Sequence, residues 1–312
     1  MKKVTVVGAG KYGSMTALRI AEYDLADEVV MTDIVDGLPQ GLALDINQSR
    51  YVEKFNTKII GTNSYEDTKD SDVVVITAGL PRKPGMSRMD LLEVNAGIVT
   101  EVTENILKYS ENPVIVVVTN PLDQMTTLTS QVSNLPKKRV IGQAGVLDSS
   151  RFAYFISEKL GVSISKVQAL TLGSHGETMV PVPSLCKVNG EPLLDLLSES
   201  EINELVQKTS DGGAEIVGLL KTGSAYFAPA SAAATMVKSI LNDSNEEIPV
   251  CAWLNGEYGI SDVYLGVTAK LGSEGVTEII EHELTNDEKK ALFTASKAVK
   301  EKVEELNSIN SQ

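Results

Sequence analysis

The residue with the clearest capacity for chemistry is a histidine in the segment 173–177, which reads Gly-Ser-His-Gly-Glu. Histidine is the only side chain whose unperturbed pKa allows proton exchange near neutral pH, so it is a common general acid or base. The 312-residue chain contains only two histidines, His175 and His282. His282 lies among charged residues and is expected to be exposed, whereas His175 follows an apolar segment and is flanked by small residues. His175 is therefore the candidate acid–base residue.

Arginine is scarce and is confined to the first half of the sequence. Six of the 28 basic residues are arginines, and the last of them is Arg151. The planar, permanently charged guanidinium can bind a carboxylate or a phosphate through two parallel hydrogen bonds. Arg82 and Arg88 lie in the segment 79–88, Gly-Leu-Pro-Arg-Lys-Pro-Gly-Met-Ser-Arg, which we predict to be a loop that closes over an anion. An exposed basic loop is the alternative.

Two further polar patterns occupy positions that a site could use. Asp148 and Arg151 are one helical turn apart, so they could form a local ion pair or place two site groups on one helix face. Asn120 and Pro121 follow an apolar run, where the asparagine could hydrogen-bond a ligand or simply begin a turn. Taken alone, both patterns favour the structural alternative.

A glycine-rich turn near the N-terminus is typical of dinucleotide binding. The three glycines permit a tight turn, close approach of a pyrophosphate and close packing of the following helix, whose N-terminus attracts phosphate. Asp33 ends the next apolar run, where it would accept hydrogen bonds from the adenosine ribose and favour NAD over NADP. The alternative is a glycine turn with a chance aspartate. The cofactor-binding residues predicted from this unit are Gly8, Ala9, Gly10, Lys11, Tyr12, Gly13 and Asp33.

In the first half of the chain, short apolar runs alternate with segments of helical periodicity, and these elements must position the candidate residues. Apolar runs without polar alternation, separated by helical patterns, are typical of strands buried on both faces of a parallel sheet. This predicts an α/β protein with a Rossmann, doubly wound parallel sheet in a dinucleotide-binding domain, residues 1–145. We predict strands at 3–7, 28–33, 58–61, 72–78, 113–119 and 139–142. One helix is predicted to follow the glycine turn and end near residue 23, and two more are predicted at 38–51 and 89–109.

Near residue 145 the pattern of apolar and polar residues changes, although the amino-acid composition stays the same. Residues 146–312 are predicted to form a mixed α+β substrate domain, because alternating strands of antiparallel type replace the earlier pattern. We predict helices at 149–161, 199–220, 230–241 and 286–306, and strands at 167–172, 179–188, 249–254, 261–270 and 276–280.

The composition excludes several classes of protein. Asp plus Glu is 42 and Lys plus Arg is 28, which gives a net charge of −14. This balance disfavours nucleic acid and an anionic membrane surface as partners. The longest uncharged stretch, 222–237, is 16 residues long and contains a proline, whereas a membrane span needs roughly 20 apolar residues. Two widely spaced cysteines without metal-ligand spacing predict buried or inert thiols, no metal site and a cytoplasmic protein.

The motifs, in this order, resemble those of the lactate/malate dehydrogenase superfamily, and the resemblance covers essentially the whole chain. It is carried by the glycine turn, Asp33, the Val-Thr-Asn-Pro segment, and residues 79–92, 148–151 and 173–177. The resemblance implies NAD-dependent oxidation of a 2-hydroxy acid. Arg82 stands where the lactate branch carries a neutral residue, often Gln, and Ala225 is small where that branch tends to have Thr. Both favour the malate branch, which interconverts (S)-malate and oxaloacetate.

The resemblance also implies a role for each candidate catalytic residue. His175 would take the hydroxyl proton of malate during oxidation and return it during reduction, and Asp148 would orient its imidazole. Arg151 would bind the C1 carboxylate of the substrate. Arg88 would polarise the C2 carbonyl, and Arg82 would pair with the distal carboxylate.

Further assignments follow from the same resemblance. Asn120 would hydrogen-bond the substrate oxygen and also contact the cofactor, and its peptide bond to Pro121 would be cis. Asn95, Val118 and Thr119 would lie along the cofactor. The chain would form a homodimer or homotetramer, partly through the helix that spans about 41–51.

Three rival hypotheses follow from the same motifs. A lactate dehydrogenase acting on pyruvate would leave Arg82 without an anionic partner. A non-catalytic NAD-sensing protein of the same fold should lack one member of the Asp148, Arg151 and His175 set. A short-chain dehydrogenase would need a Tyr-x-x-x-Lys pair, which neither Tyr154 nor Tyr226 provides.

Overall fold

The first half of the chain alternates strand and helix in the computed structural model, which describes residues 1–80 and 88–310. Its elements are β1 (Lys3–Val7), α1 (Lys11–Glu22), β2 (Glu28–Thr32), α2 (Leu38–Glu53), β3 (Lys58–Thr62), β4 (Val73–Ile76), α3 (Arg88–Leu107), β5 (Val114–Val117), α4 (Leu122–Ser133) and β6 (Val140–Gly142). The strands pair in parallel in the order β3-β2-β1-β4-β5-β6. Strands β4 and β5 consist of Val and Ile and are buried throughout, as expected of strands covered on both faces. The predicted doubly wound fold is therefore confirmed.

The second half extends this sheet with antiparallel strands and covers it with helices. Its elements are α5 (Gly145–Leu160), β7 (Val167–Gln168), β8 (Thr171–Gly173), β9 (Met179–Pro181), β10 (Lys187–Val188), β11 (Glu191–Pro192), α6 (Leu193–Leu196), α7 (Glu199–Leu220), α8 (Phe227–Leu241), β12 (Glu246–Asn255), β13 (Ser261–Gly272), β14 (Gly275–Ile280) and α9 (Asn286–Asn310). The main sheet continues from β6 in the order β12-β13-β8-β9, and β14 pairs with β13. Strands β7, β10 and β11 form a small separate sheet.

The two halves meet where Gly142 of β6 pairs with Cys251 of β12. A Cβ atom placed on Gly142 would lie 2.8 Å from the Cβ atom of Cys251 and 2.6 Å from Oγ1 of Thr126. Only glycine therefore lets β12 and α4 approach β6 this closely. One continuous sheet consequently runs through both halves of the chain.

Helix α4 is absent from the sequence prediction because several of its buried positions are polar, which obscures its apolar face. Nearly the whole helix is buried, including its polar residues. Thr126 and Thr129 satisfy their hydroxyl groups inside the helix, by donating to the carbonyl oxygens of Leu122 and Met125 at 2.8 Å each. A buried helix that contains self-satisfied threonines lacks the polar face by which a surface helix is recognised.

Two predicted strands are each divided in the structure. The segment 167–172 contributes β7 to the small sheet and β8 to the main sheet, and 179–188 contributes β9 and β10 in the same way. Between β9 and β10 the chain turns through Pro183–Leu185. Apolar residues continue across both breaks, so the sequence pattern alone does not show where the chain changes sheet.

The expectation that His282 is exposed is wrong. The residue is half-buried, and its Nε2 atom lies 2.8 Å from Oγ1 of Thr268 on β13. Burial lowers the pKa of His282, so it is a neutral structural hydrogen-bonding group rather than a surface charge.

The predicted burial of both thiols is confirmed, since Cys186 and Cys251 are buried and unpaired with each other. Burial raises the pKa of the Cys186 thiol to about 12, which makes it unreactive as a thiolate. Among the helices of residues 1–80 and 88–310, none has the length and apolar character that crossing a membrane requires.

Candidate active site

The carboxyl ends of β1, β4, β5 and β6 border a cavity of about 570 Å³. Helices α5 and α7 and the loop between α7 and α8 close its other side. The predicted site residues that line it are Gly10, Lys11, Tyr12, Asn95, Val118, Thr119, Asn120, Arg151 and His175, and Ala225 lines it as well. Ligands bind at this edge of doubly wound sheets, so the cavity is the candidate active site.

The glycine turn at the end of β1 depends on the absence of side chains. Gly8 has a φ of +98°, and a Cβ atom there would lie 2.9 Å from the backbone nitrogen of Ala78. A Cβ atom on Gly13 would collide with the carbonyl oxygen of Gly8. Gly10, by contrast, has no atom within 4 Å of its Cβ position. Two glycines therefore close the turn, and the third leaves open space at the N-terminus of α1.

Asp33 joins the end of β2 to the glycine turn. Its Oδ2 atom accepts a hydrogen bond from the backbone N–H of Ala9 at 2.6 Å, and Oδ1 accepts one from the backbone N–H of Val35 at 2.9 Å. The carboxylate is only half-buried, and each of its oxygens can accept a further hydrogen bond. Asp33 therefore lies beside the turn, as the sequence predicts, and also holds the turn in place.

His175, Asp148 and Arg151 form one charged cluster. The Nδ1 atom of His175 lies 2.9 Å from Oδ2 of Asp148, and Nη1 of Arg151 donates to Oδ1 of Asp148 at 3.3 Å. Asp148 and Arg151 lie one turn apart on α5, and His175 follows β8. The side chain of Asp148 is 2% exposed, whereas those of His175 and Arg151 are 17% and 14% exposed. Because Asp148 binds Nδ1, the Nε2 atom of His175 is the one that can exchange a proton with a ligand.

The pKa of His175 is raised by this cluster. Burial is the largest single effect and lowers the pKa, but the charge and hydrogen bond of Asp148, together with the charge of Asp123, outweigh it. Arg151 opposes them more weakly. The histidine is consequently protonated more readily than an exposed imidazole.

Asp123 is a functional residue that the motifs do not reveal. It lies in the first turn of α4, is 5% exposed, and accepts a hydrogen bond from the backbone N–H of His175 at 3.1 Å. Its other oxygen lies 3.4 Å from the thiol sulfur of Cys251 on β12. Burial raises the pKa of Asp123, although the positive charge of His175 opposes this. The position two residues after Pro121 was the available signal, since it places an aspartate at the carboxyl edge of the sheet.

Asn95 holds the loops that follow β4 and β5. Its Oδ1 atom accepts from the backbone N–H of Leu80 at 2.8 Å, and its Nδ2 atom donates to the carbonyl oxygen of Asn120 at 2.7 Å. Thr119 donates from Oγ1 to the carbonyl oxygen of Ala78 at 2.6 Å. The peptide bond between Asn120 and Pro121 is cis, as the resemblance implies. These contacts shape the cavity wall at which the cofactor was predicted.

The two predicted lid arginines lie at or beside the gap in the described residues. Arg82 lies outside the described residues. Arg88 is the first residue of α3, but its side chain also lies outside them. Of the three arginines predicted to bind the substrate, Arg151 is the one whose side chain lies within the described residues, and it lines the cavity.

Comparison with known proteins decides the family. The model of the lactate/malate dehydrogenase NAD binding domain matches residues 2–142, and that of the lactate/malate dehydrogenase alpha/beta C-terminal domain matches residues 145–309. The chain belongs to the lactate/malate dehydrogenase family. Its glycine turn and Asp33 thus lie in the family's NAD-binding domain, and its histidine cluster is formed mainly by the C-terminal domain.

Relatives that are about 50% identical to the chain over nearly its whole length are named malate dehydrogenase. The chain is 52% identical to the malate dehydrogenase of Synechocystis sp., over 96% of this chain and 92% of that protein. It is 51% identical to the malate dehydrogenase of Pelodictyon phaeoclathratiforme, over 97% of this chain and 98% of the relative. Among solved structures, malate dehydrogenase from Salinibacter ruber matches with a TM-score of 0.95 and 46% identity, over 99% of both chains. Lactate dehydrogenase from Cryptosporidium parvum, solved with lactic acid and NAD, matches with a TM-score of 0.94 and 41% identity, over 98% of both chains.

Proposed function

We propose that the protein is an NAD-dependent malate dehydrogenase that reversibly oxidises (S)-malate to oxaloacetate. The observation that carries the proposal is the 2.9 Å contact between Nδ1 of His175 and Asp148, with Arg151 bound to the same carboxylate at the cavity wall. The names of the relatives at about 50% identity support malate as the substrate.

The residues around the glycine turn fit a dinucleotide. Space is open at Gly10, and among the described residues no side chain caps the N-terminus of α1, so its free N–H groups can receive the pyrophosphate. Asp33 would bind the adenosine ribose, and the backbone around Val118 and Thr119 would support the nicotinamide half. Bound NAD would supply the acceptor for the hydride that leaves C2 of malate.

His175 would move the proton of the reaction. In oxidation, Nε2 takes the proton from the C2 hydroxyl group while the hydride leaves the same carbon, and in reduction it returns that proton to the oxygen. Asp148 holds the imidazole by Nδ1 and stabilises its charged form. Asp123 fixes the backbone of His175, so the imidazole is positioned from both sides.

The arginines would bind the two carboxylates of the substrate. Arg151 would hold the C1 carboxylate, and Asn120 would hydrogen-bond the substrate oxygen. Arg88 would polarise the C2 carbonyl, on which negative charge develops during reduction. Arg82 would pair with the distal carboxylate. Support for the last two roles comes from the sequence, since both residues stand where the family resemblance implies them.

The second candidate function is lactate dehydrogenation. It is favoured by the likeness to lactate dehydrogenases from Cryptosporidium parvum and Eimeria maxima, the latter solved with NADH and oxamate. Pyruvate would leave Arg82 without an anionic partner, so we favour the dicarboxylate.

We further propose that residues 1–145 bind the dinucleotide and residues 146–312 bind the substrate. A cytoplasmic homodimer or homotetramer is part of the same proposal. Exposed apolar side chains on α2 support a subunit contact there, since Leu44, Tyr51 and Val52 are 61%, 82% and 72% exposed.

The proposal is tested by replacing the acid–base residue. His175→Asn should reduce kcat for NADH oxidation with oxaloacetate by ~10²–10⁴-fold, because the substitution removes the proton donor. The dissociation constant for NADH, measured by fluorescence, should remain close to that of the wild type. His282→Asn is the matched control and should leave both quantities nearly unchanged. A kcat above about a tenth of the wild-type value in His175→Asn would exclude general acid–base catalysis by this residue.

A further inference from the structure

Cys251 is a buried thiol that the proposed reaction does not use, yet it contacts a residue of the active site. It lies on β12, is fully buried, and pairs in register with Gly142 of β6. Its Sγ atom donates to Oδ1 of Asp123 on α4 at 3.4 Å. Because a Cβ atom at position 142 would lie 2.8 Å from the Cβ atom of Cys251, glycine is required for the thiol and α4 to meet over β6. The contact therefore depends on the join between the two halves of the sheet.

The two oxygens of Asp123 face different parts of the protein. Oδ1 receives the thiol of Cys251, whereas Oδ2 accepts a hydrogen bond from the backbone N–H of His175 at 3.1 Å. Asp123 is 5% exposed, and a buried carboxylate keeps its charge only if hydrogen-bond donors and a nearby positive charge replace the water it has lost. Loss of one donor would favour the neutral acid and weaken the support that the carboxylate gives to His175.

The proton between the sulfur and the carboxylate belongs to the sulfur. Burial and the charge of Asp123 raise the pKa of Cys251 well above its usual value, so the thiol stays protonated. Burial also raises the pKa of Asp123, but the charge of His175, its backbone N–H and the thiol oppose this effect. Thr126 is another polar side chain beside the thiol, and its hydroxyl already donates to the carbonyl oxygen of Leu122. The charged carboxylate is the stronger acceptor for the S–H group.

We propose that Cys251 is a positioning residue for the proton transfer, which acts through Asp123 on His175. Its thiol holds Oδ1 of Asp123, so that Oδ2 stays directed at the backbone of His175 and the carboxylate stays ionised. This inference rests on the proposed dehydrogenase function. The ionised carboxylate favours the imidazolium, since its charge adds to that of Asp148 and opposes that of Arg151. Removal of the thiol should therefore make the imidazolium a stronger acid.

The test replaces the thiol in two ways. Cys251→Ala removes the donor, and Cys251→Ser substitutes a hydroxyl donor for it. In Cys251→Ala, kcat for oxaloacetate reduction should fall ~2- to 10-fold, the effect of one hydrogen bond, and kcat/KM should begin to decline at a lower pH than in the wild type. Cys251→Ser should bring both quantities back toward the wild-type values. The dissociation constant for NADH should be unchanged in both variants.

Cys186→Ala is the matched control. Cys186 is also a buried thiol, and its Sγ atom donates to the carbonyl oxygen of Val182 at 3.2 Å. The substitution removes the same sulfur atom from the protein core, so it should lower the midpoint of thermal unfolding but leave kcat and the pH profile unchanged. A wild-type pH profile in Cys251→Ala, or the same shift in Cys186→Ala, would overturn the inference.

A second measurement does not depend on activity or on the folding of Cys251→Ala. The infrared S–H stretching band that persists in Cys186→Ala belongs to Cys251. This band should lie at lower frequency than that of an alkanethiol in hexane, because donation to a carboxylate weakens the S–H bond. A band at the alkanethiol frequency would overturn the inference.

Wild-type turnover of oxaloacetate is measured alongside. Its absence would contradict the proposed function. Normal turnover together with an alkanethiol-like band or an unshifted pH profile would contradict the role of Cys251 alone.

Discussion

The acid–base behaviour of His175 depends on the balance between burial and two neighbouring carboxylates. Burial disfavours the imidazolium, but Asp148 and Asp123 together raise the pKa above the ordinary value of 6.5. Reduction of oxaloacetate requires the protonated histidine, so this reaction should decline as the pH rises through the raised pKa, at a higher pH than an unperturbed imidazole would give. Oxidation of malate requires the neutral histidine and should increase over the same range.

Asp148→Asn should shift the decline of oxaloacetate reduction to lower pH, because the substitution removes the strongest of the effects that raise the pKa of His175. The kcat should also fall by ~10²-fold or more, since the imidazole loses its orienting partner. The measurement is the pH dependence of kcat/KM at saturating NADH. Glu158→Gln is the control, because it removes an exposed carboxylate from the same helix. An unshifted profile in Asp148→Asn, or an equal shift in the control, would show that Asp148 does not set this pKa.

Residues that act through a local pattern could be predicted from the sequence, and residues that act through distant partners could not. His175 stands out because histidine is rare in the chain, and the glycine turn stands out because its spacing is local. Asp123 meets the backbone of His175 across 52 positions and the thiol of Cys251 across 128. Neither contact leaves a periodic signal. The pairing of Asp148 with His175 followed only from the family resemblance.

The glycine turn and α1 form the element on which the proposed dinucleotide binding depends. Gly13 allows close packing within the turn, whereas Gly10 leaves space for the pyrophosphate. Gly13→Ala should destabilise the protein by ~1–3 kcal/mol, because the new methyl group collides with the carbonyl oxygen of Gly8. Gly10→Ala should change the free energy of unfolding by less than about 1 kcal/mol, because the loss of a favourable N-cap residue and the lower entropy of the unfolded chain oppose each other, and its Cβ position has no neighbour within 4 Å.

NADH binding distinguishes a role of Gly10 in leaving space for the pyrophosphate from a purely structural role. Gly10→Ala should weaken NADH binding by at least about tenfold, or ~1.4 kcal/mol, because its methyl group enters the space assigned to the pyrophosphate. Thermal unfolding and NADH titration of both variants provide the measurement. Unchanged NADH affinity in Gly10→Ala would show that the pyrophosphate does not approach this residue.

Among the buried elements, the strands of the parallel sheet could be predicted from the sequence, whereas helix α4 could not. The strands of the parallel sheet are short runs of Val and Ile, and their boundaries in the sequence agree with the structure within a few residues. Helix α4 was not predicted because buried threonines such as Thr126 and Thr129 interrupt its apolar face, although their hydroxyl groups are satisfied inside the helix. This helix nevertheless positions Asp123, so the missing element also concealed a residue of the site.

Across the whole molecule, the sheet and the distribution of charge together define the site. The pairing of Gly142 with Cys251 joins the two halves into one sheet, and the cavity lies where the residues after β6 meet α5 and β8. The chain carries a net charge of −14, which opposes the approach of a dianion. Arginines gathered at the cavity would reverse the sign of the charge locally, as a dicarboxylate substrate requires.

The most direct test of this account is the ratio of kcat/KM for oxaloacetate to that for pyruvate, in the wild type and in Arg82→Gln. The wild type should prefer oxaloacetate. Arg82→Gln should lose ~30- to several-thousand-fold in kcat/KM for oxaloacetate, the effect of removing one partner of a desolvated ion pair, and should retain or increase kcat/KM for pyruvate. Lys83→Gln, which removes the adjacent positive charge, should leave the ratio nearly unchanged. A wild type that prefers pyruvate would contradict the malate assignment, and a ratio unaffected by Arg82→Gln would contradict the role of Arg82 in recognising the distal carboxylate.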